Sequence, residues 1–208
     1  MKEYKFIIKR GITDGNERQL IMNESFISFE NKDYIHDAFT TIDKDEIVAL
    51  KYGIKWISFY LTFGREYQFF IKLKNNKELK INFTTYFGKN KIAYHELYAD
   101  ILNALWELYF SKIADEFLSQ FYQNEKITIA NLEFHKEGIR LKKGVSDFFE
   151  IPWNEVRTAN YQRNFVVYSN QNPQKLNKSF NYHEDWNAMV LFSVLRGILQ
   201  EKGIESYN

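Results

Sequence analysis

The chain has no cysteine among its 208 residues. It therefore cannot have a disulfide framework, a thiol nucleophile or a cysteine-ligated zinc site. It also lacks an apolar run near the roughly 18 residues that a membrane-spanning helix needs. Apolar residues 6–8 precede Lys9 and Arg10 and are too few for the core of a signal peptide. These absences lead us to expect a soluble protein of the cytoplasm.

The chain has almost no net charge. Lys and Arg total 28, Asp and Glu total 27, and the formal net charge is +1. A dedicated nucleic-acid-binding domain is usually strongly basic. We therefore expect no nucleic-acid partner.

Constellations of catalytic or metal-binding residues are missing from the sequence. His36 and His135 have no partner at metal-ligand spacing. Asp43, Asp45 and Glu46 form an acidic cluster, but no base or nucleophile is in register with it. We expect no catalytic residue, no metal, no cofactor and no small-molecule substrate. An enzyme of an unrecognised type is the least favoured interpretation.

What the chain does contain is an internal repeat. Tyr94-His95-Glu96 begins one apolar, helix-periodic stretch, and Tyr182-His183-Glu184 begins another 88 residues later. A series of short strand-like segments precedes each stretch. A repeat of this length indicates two related small domains, which we place at residues 1–123 and 124–208.

The period of the apolar residues predicts the elements of both domains. In the first domain, alternation predicts a hairpin of residues 69–74 and 78–83 around Asn75-Asn76. The period then changes to 3.6 and predicts a long helix over about residues 91–122. The second domain is predicted to end in a helix over about residues 182–202, with Asn181 as its N-cap. This succession of strands and a closing helix predicts the α+β class.

The chain resembles a tandem of pleckstrin-homology-like (PH-like, GRAM-type) domains of a bacterial uncharacterised family. The most characteristic phrase is residues 149–156, Phe-Glu-Ile-Pro-Trp-Asn-Glu-Val. The resemblance implies two domains, each a strongly bent antiparallel sheet or partly open barrel capped by a C-terminal helix. It also implies binding, to phosphoinositide headgroups in many members and to peptides or other domains in others.

The resemblance further implies where a headgroup would bind. In the family, the lipid-binding motif lies in the loop between the first two strands and contains several Lys and Arg. The cations in the candidate loops of this chain are Lys9, Arg10 and Arg18 in the first domain and Lys136 in the second.

Residues 56–63, Trp-Ile-Ser-Phe-Tyr-Leu-Thr-Phe, are predicted to form one strand that is apolar on both faces. One face would enter the core, and the other would need a cover from this chain or from a partner. Because exposed aromatic patches mark interfaces, Trp56, Phe59, Tyr60 and Phe63 are candidate protein contacts. The alternative, which the sequence favours, is that another part of the chain covers them. The leading functional expectation is a non-enzymatic binding or scaffold module that contacts another protein or a second copy of itself.

A second candidate surface is basic. Lys72, Lys74, Lys77 and Lys80 lie around the predicted hairpin and are candidate anion contacts. Clustered lysines can attract a protein to an anionic membrane, which gives the alternative function of peripheral lipid binding. The competing interpretation is a solvated face whose lysines protect a sheet edge from pairing with another chain.

Overall fold

A computed structural model describes residues 2–9, 16–30, 39–143 and 147–204. The chain divides into two compact units, Met1–Ser111 and Lys112–Asn208. Both combine antiparallel sheets with helices, so the predicted α+β class is confirmed. The PH-like assignment and the domain boundary at residue 123 stay predictions. In the described ranges, no helix is both long enough and apolar enough to cross a membrane.

Unit 1 contains two antiparallel meanders, in which each strand pairs with the next along the chain. The four strands of the first sheet are β1 (Glu3–Lys9), β2 (Glu17–Asn23), β3 (Phe26–Glu30) and β4 (Phe39–Asp43). A 3-10 turn, Lys44–Glu46, leads to the second sheet. Its strands are β5 (Ile47–Phe59), β6 (Thr62–Leu73) and β7 (Glu78–Tyr86).

Side chains from both sheets and the helix fill the core of unit 1. Its fully buried apolar residues include Ile8, Leu20, Met22, Ile27, Phe29, Tyr67, Phe69, Ile71, Ile81, Phe83, Ile101 and Leu105. In β6 and β7 the buried residues recur at every second position along much of the strand, as a half-buried strand requires. The period-2 pattern seen in the sequence therefore marks the inner face of this sheet.

The helix of unit 1 changes its winding near its end. Helix α1 (Lys91–Leu105) continues as a π-helical segment, Trp106–Phe110. Leu108, Tyr109 and Phe110 are consecutive and all buried, although a regular α-helix turns by about 100° per residue and spreads three neighbours over a wide arc. Hydrogen bonds hold this segment to the first sheet. The Tyr109 hydroxyl lies 2.7 Å from the carbonyl oxygens of both Asn23 and Phe26.

Unit 2 repeats the two-meander plan. Helix α2 (Ser111–Tyr122) begins where the two units divide. The four-stranded sheet consists of β8 (Ile127–Ile129), β9 (Leu132–Phe134), β10 (Gly138–Lys143) and β11 (Asp147–Pro152). A 3-10 turn, Trp153–Glu155, precedes β12 (Val156–Asn160), β13 (Asn164–Ser169) and β14 (Asn177–Asn181). Helix α3 (Ala188–Glu201) closes the unit.

Trp153, from the phrase on which the family resemblance rests, is part of the unit 2 core. It is buried, and its indole Nε1 donates a hydrogen bond of 3.0 Å to the carbonyl oxygen of His135. Its ring centroid lies 5.6 Å from that of Phe121 on α2 and 6.3 Å from that of Phe134 on β9. Trp153 therefore joins the 3-10 turn to both a strand and a helix.

The two units share one order of elements: four strands, a 3-10 turn, three strands and a helix. The short segment around the 3-10 turn corresponds most closely. Residues 43–47 in unit 1 match residues 152–156 in unit 2 at a constant offset of 109. Strands β3 and β10, whose sequences align in the repeat, are each the third strand of a four-stranded sheet. The repeat thus extends from the sequence to the architecture.

Two expectations about the fold are wrong. The last helix begins at Ala188 and not near residue 182. Asn181 does not cap it: its side-chain oxygen accepts a hydrogen bond from the His183 amide, and its own amide donates to the Asp185 carboxylate. These bonds hold the intervening residues in turns, and Asn187, with φ of 60°, starts the helix. None of the four sheets closes into a barrel among the described strands, and the strongly bent sheet or partly open barrel that the resemblance implies stays a prediction.

Candidate binding surface

The aromatic stretch of unit 1 forms a hairpin tip. Strands β5 and β6 are joined by the two-residue turn Tyr60-Leu61, and Phe59 pairs with Thr62 across it. The prediction of a single strand over residues 56–63 is therefore wrong. The stretch has no Gly, Asn, Asp or Pro at the turn, and those are the residues that signal a two-residue hairpin.

Six large apolar side chains lie at this end of unit 1, and together we call them the aromatic tip. They are Trp56, Phe59, Tyr60, Leu61, Phe63 and Phe87. The two turn residues are 94% and 92% exposed, and the other four are between 51% and 69% exposed. The expectation that another part of the chain covers this surface is therefore wrong. The sequence does not identify Leu61 and Phe87 as contact residues, because only the pairing of β5, β6 and β7 brings them to this end of the sheet.

Ring contacts organise the tip without hiding it. The Phe63 and Phe87 ring centroids lie 5.3 Å apart in an edge-to-face arrangement, and the Phe87 amide donates a 2.9 Å hydrogen bond to the Phe63 carbonyl. The Phe59 and Tyr60 rings are also edge-to-face, at 4.7 Å. Edge-to-face pairs of this kind contribute about 0.5–1.5 kcal/mol beyond their area burial. These contacts hold the side chains of the aromatic tip in place while leaving them exposed.

The backbone of the tip is strained at two aromatic residues. Tyr60 has φ of +47° and Phe87 has φ of +53°. The left-handed region costs a non-glycine residue about 1–2 kcal/mol. All but one of the other described non-glycine residues at positive φ are Asn, which adopts this conformation readily. Backbone strain of this kind concentrates at functional sites.

A glycine sets the base of the tip. Gly64 is buried and pairs with Tyr86, and a Cβ added to it would lie 2.4 Å from the Thr85 carbonyl oxygen. Only glycine permits β6 and β7 to approach this closely at that point. The last paired rung between β6 and β7 therefore lies next to Phe63 and Phe87, while β5 and β6 stay paired to the turn.

The chain around the tip is basic. Residues 47–65 and 79–95 contain no Asp or Glu, and they contain Lys55, Arg65, Lys89 and Lys91 next to the tip. The Arg65 guanidinium carbon lies 4.3 Å from the Trp56 ring centroid, a cation–π contact that leaves its charge beside the exposed indole. These four basic residues lie around the aromatic tip, and we call them the cationic rim.

The predicted lysine-rich surface lies elsewhere. Lys74 and Lys77 are exposed at the β6–β7 turn. Its loop has three residues, 74–76, and not the predicted two, since the Leu73 amide donates to the Lys77 carbonyl. This turn and the aromatic tip lie at opposite ends of the twelve-residue strand β6, about 36 Å apart at 3.3 Å per residue.

Carboxylates partly compensate the other two lysines. Lys72 pairs in register with Glu78, and the Lys80 ammonium lies 3.5 Å from the Glu66 carboxylate. Burial raises the pKa of Glu66, but hydrogen bonds from Gln68 and Asn82 and the charge of Lys80 outweigh it, and the pKa lies below its usual value. Glu66 is therefore ionised at neutral pH and offsets Lys80.

The headgroup site implied by the family resemblance is not assembled by the described residues. In unit 1, Lys9 forms a 2.8 Å ion pair with Glu17, and Arg18 is 1% exposed; Arg10 lies outside the described residues. In unit 2, β8 and β9 are joined by Ala130-Asn131 alone, and Lys136 lies in the following connection.

The two Tyr-His-Glu triplets occupy different environments. Tyr94 lies in the first turn of α1, with its ring centroid 5.7 Å from that of Phe83. Tyr182 lies in the turns before α3 and donates a 2.7 Å hydrogen bond to the Asn160 side chain, and burial raises its pKa to about 12. Both tyrosines make packing or hydrogen-bond contacts within their own unit, and the two triplets do not form equivalent sites.

The acidic residues before β5 do not form a metal site. Asp45 and Glu46 lie in a 3-10 turn, where the Glu46 carbonyl accepts the Lys74 amide at 2.9 Å. In the part of the chain that the structure describes, no three His, Asp or Glu residues lie close enough together to hold a metal ion. His36 lies outside that part.

Unit 2 has an open cavity of about 490 Å³. It is lined by Phe121, Tyr122 and Phe134 and by a mixed set of charges, with lysines at 126, 136 and 202 and glutamates at 125 and 201. Burial, followed by the hydrogen bond with Glu201, raises the pKa of Tyr122 to about 12. Because the lining carries both positive and negative side chains, the cavity favours neither anionic nor cationic ligands. The aromatic tip is therefore the stronger candidate for a binding surface.

Comparison with known proteins assigns no family. No protein-family model matches the chain, and no curated protein matches it.

Proposed function

We propose that the chain is a non-enzymatic binding module and that the aromatic tip is its contact surface. The observation that carries the proposal is the exposure of six large apolar side chains in one place, at the end of a hairpin. Soluble proteins rarely leave a contiguous apolar surface uncovered unless it meets a partner. The strained backbone at Tyr60 and Phe87 supports the same conclusion, since strain of this kind concentrates at functional sites.

We also propose that each unit is a PH-like domain. Four strands, a 3-10 turn, three strands and a closing helix, present twice, support the assignment. PH-like domains carry many functions, so the assignment alone selects none of them. The absence of cysteine supports a reducing compartment, and we propose the cytoplasm.

The test is affinity capture with tagged full-length protein. Trp56→Ala/Tyr60→Ala removes two exposed rings from the aromatic tip, and Phe148→Ala/Tyr161→Ala removes two exposed rings from unit 2 as a matched control. We expect partners, whether proteins or membrane fragments, to be lost with the tip variant and retained with the control. Equal recovery with both variants, each shown by circular dichroism to be folded, would contradict the assignment of the surface.

A further inference from the structure

We propose that the partner of the aromatic tip is an anionic lipid surface, into whose interfacial layer the tip inserts. This inference rests on the proposed function, because it names the partner of the same surface. It differs from binding through the lysine-rich β6–β7 turn and from a headgroup pocket between the first two strands, because it needs neither.

The shape of the tip fits a soft interface. Strand β7 ends at Tyr86, opposite Gly64, so among the described strands none pairs with the β5–β6 hairpin beyond Phe63. From Phe63 to Tyr60 the chain projects by about 10 Å at 3.3 Å per residue. Amphipathic segments that lie at a membrane bury about 5–10 Å of their apolar side in the headgroup and acyl boundary. The projecting length matches that depth.

The composition of the tip fits the same interface. Trp and Tyr are enriched at the boundary between lipid and water because their rings are apolar and carry one polar group. Here Trp56 and Tyr60 lie beside Phe59 and Leu61, which can penetrate more deeply. A protein partner would need a pocket that matches the shape of the tip, whereas a lipid surface accommodates the tip without one.

The charge around the tip selects anionic lipid. Lys55, Lys89 and Lys91 are exposed, and Arg65 is held on the Trp56 ring. Glu66, the nearest acid in the hairpin, accepts a hydrogen bond from Asn82, lies 3.5 Å from Lys80 and stands opposite Lys55 in the register of β5 and β6. Glu96 is exposed further along α1, so the positive charge of the rim rests mainly on Arg65, Lys89 and Lys91. This charge is attracted to phosphatidylserine-containing membranes and places the apolar side chains at their surface.

The experiment is co-sedimentation of the full chain with vesicles of phosphatidylcholine, with and without about 30% phosphatidylserine. We expect binding to the anionic vesicles at about 0.1 M NaCl that weakens severalfold at about 0.5 M NaCl, because salt screens the rim. Tyr60→Ser/Leu61→Ser should weaken binding by at least about tenfold, since it removes the most exposed part of the apolar surface. A blue shift of tryptophan emission on binding should disappear in Trp56→Phe.

A charge-matched pair of variants locates the contact. Lys89→Glu/Lys91→Glu reverses two charges beside the tip, and Lys74→Glu/Lys77→Glu reverses two at the opposite end of β6. We expect the first pair to weaken binding by about tenfold and the second by no more than about threefold. Equal losses would overturn the proposal by moving the contact away from the tip.

The outcomes separate this proposal from the proposed function. If the folded wild-type protein binds no anionic vesicle at low salt but captures a protein through the tip, the lipid surface is the wrong partner and the binding surface stands. If the tip variants leave both vesicle binding and protein capture unchanged, both proposals are wrong. Circular dichroism and thermal melting of each variant exclude loss of fold as the cause.

Discussion

At the scale of single residues, Tyr60 combines two properties that usually exclude each other. It is a large aromatic side chain that is almost fully exposed, and its backbone adopts a conformation that favours glycine or asparagine. The edge-to-face contact with Phe59 leaves most of the Tyr60 ring in solvent, and glycine or asparagine would adopt the turn conformation at lower cost. We therefore infer that a tyrosine at this position serves a surface whose use lies outside the monomer, as is common where function and stability compete.

Tyr60→Gly should separate the two properties. Glycine removes the strain of the left-handed conformation, and we expect the free energy of unfolding to stay within about 1 kcal/mol of wild type or to rise. Binding to phosphatidylserine vesicles should fall, because the variant loses one of the two most exposed apolar side chains. Urea unfolding and vesicle co-sedimentation measure the two effects. A clear loss of stability would mean that the Tyr60 side chain supports the hairpin.

At the scale of elements, the π-helical segment shows how a helix is held to a sheet. Tyr109 contacts the β2–β3 connection, and Glu107 accepts hydrogen bonds of 2.5 Å from Lys2, which precedes β1, and 2.6 Å from Tyr4 on β1. Hydrogen bonds from Lys2 and then Tyr4 lower the pKa of Glu107 below its usual value. These two anchors, at positions 107 and 109 of the π-helical segment, hold the end of α1 to the first sheet.

The Glu107 anchor predicts an acid-dependent change in stability. Because its pKa is lower in the folded chain than in the unfolded chain, its contribution is present above about pH 4.5 and is lost as the pH falls through the folded pKa. Glu107→Gln should therefore reduce the dependence of the melting temperature on pH below about pH 4.5. Thermal melts between neutral and acidic pH measure this. Glu96→Gln, at an exposed position of α1, is the control and should keep the wild-type slope.

At the scale of the whole molecule, the chain consists of two units that share one plan, each with its own core. In unit 2, the Phe165 ring lies 5.1 Å from the ring centroids of both Phe180 and Phe192 and is fully buried. It therefore joins two strands to α3 through a single side chain. Only unit 1 carries the aromatic tip, so the repeated plan has one specialised copy.

Phe165→Ala should destabilise unit 2 by about 3–5 kcal/mol, the usual cost of truncating a buried Phe. Hydrogen exchange should show the largest loss of protection in strands β12–β14 and helix α3, which surround the Phe165 ring. Tyr161→Phe, at an exposed position, is the control and should change stability by less than about 0.5 kcal/mol. A loss below about 1 kcal/mol for Phe165→Ala would contradict the assignment of this ring to the core.

Periods of 2 and 3.6 are local properties of the chain, so the α+β class, the repeat and most elements follow from the amino-acid sequence. The sequence also shows that residues 56–63 are apolar on both faces. The reversal of the chain at Tyr60-Leu61 and the exposure of the stretch depend on the tertiary fold, since neither turn residue has a turn propensity and the reversal follows from the cross-strand register. The start of α3 also depends on tertiary structure, because side-chain hydrogen bonds of Asn181 and Asp185 hold the preceding residues in turns and the helix begins at Ala188.

The charge of the lysine-rich surface depends on tertiary structure as well. Glu66, a carboxylate on the strand adjacent to Lys80, offsets that lysine, and spacing along the chain does not reveal the pair.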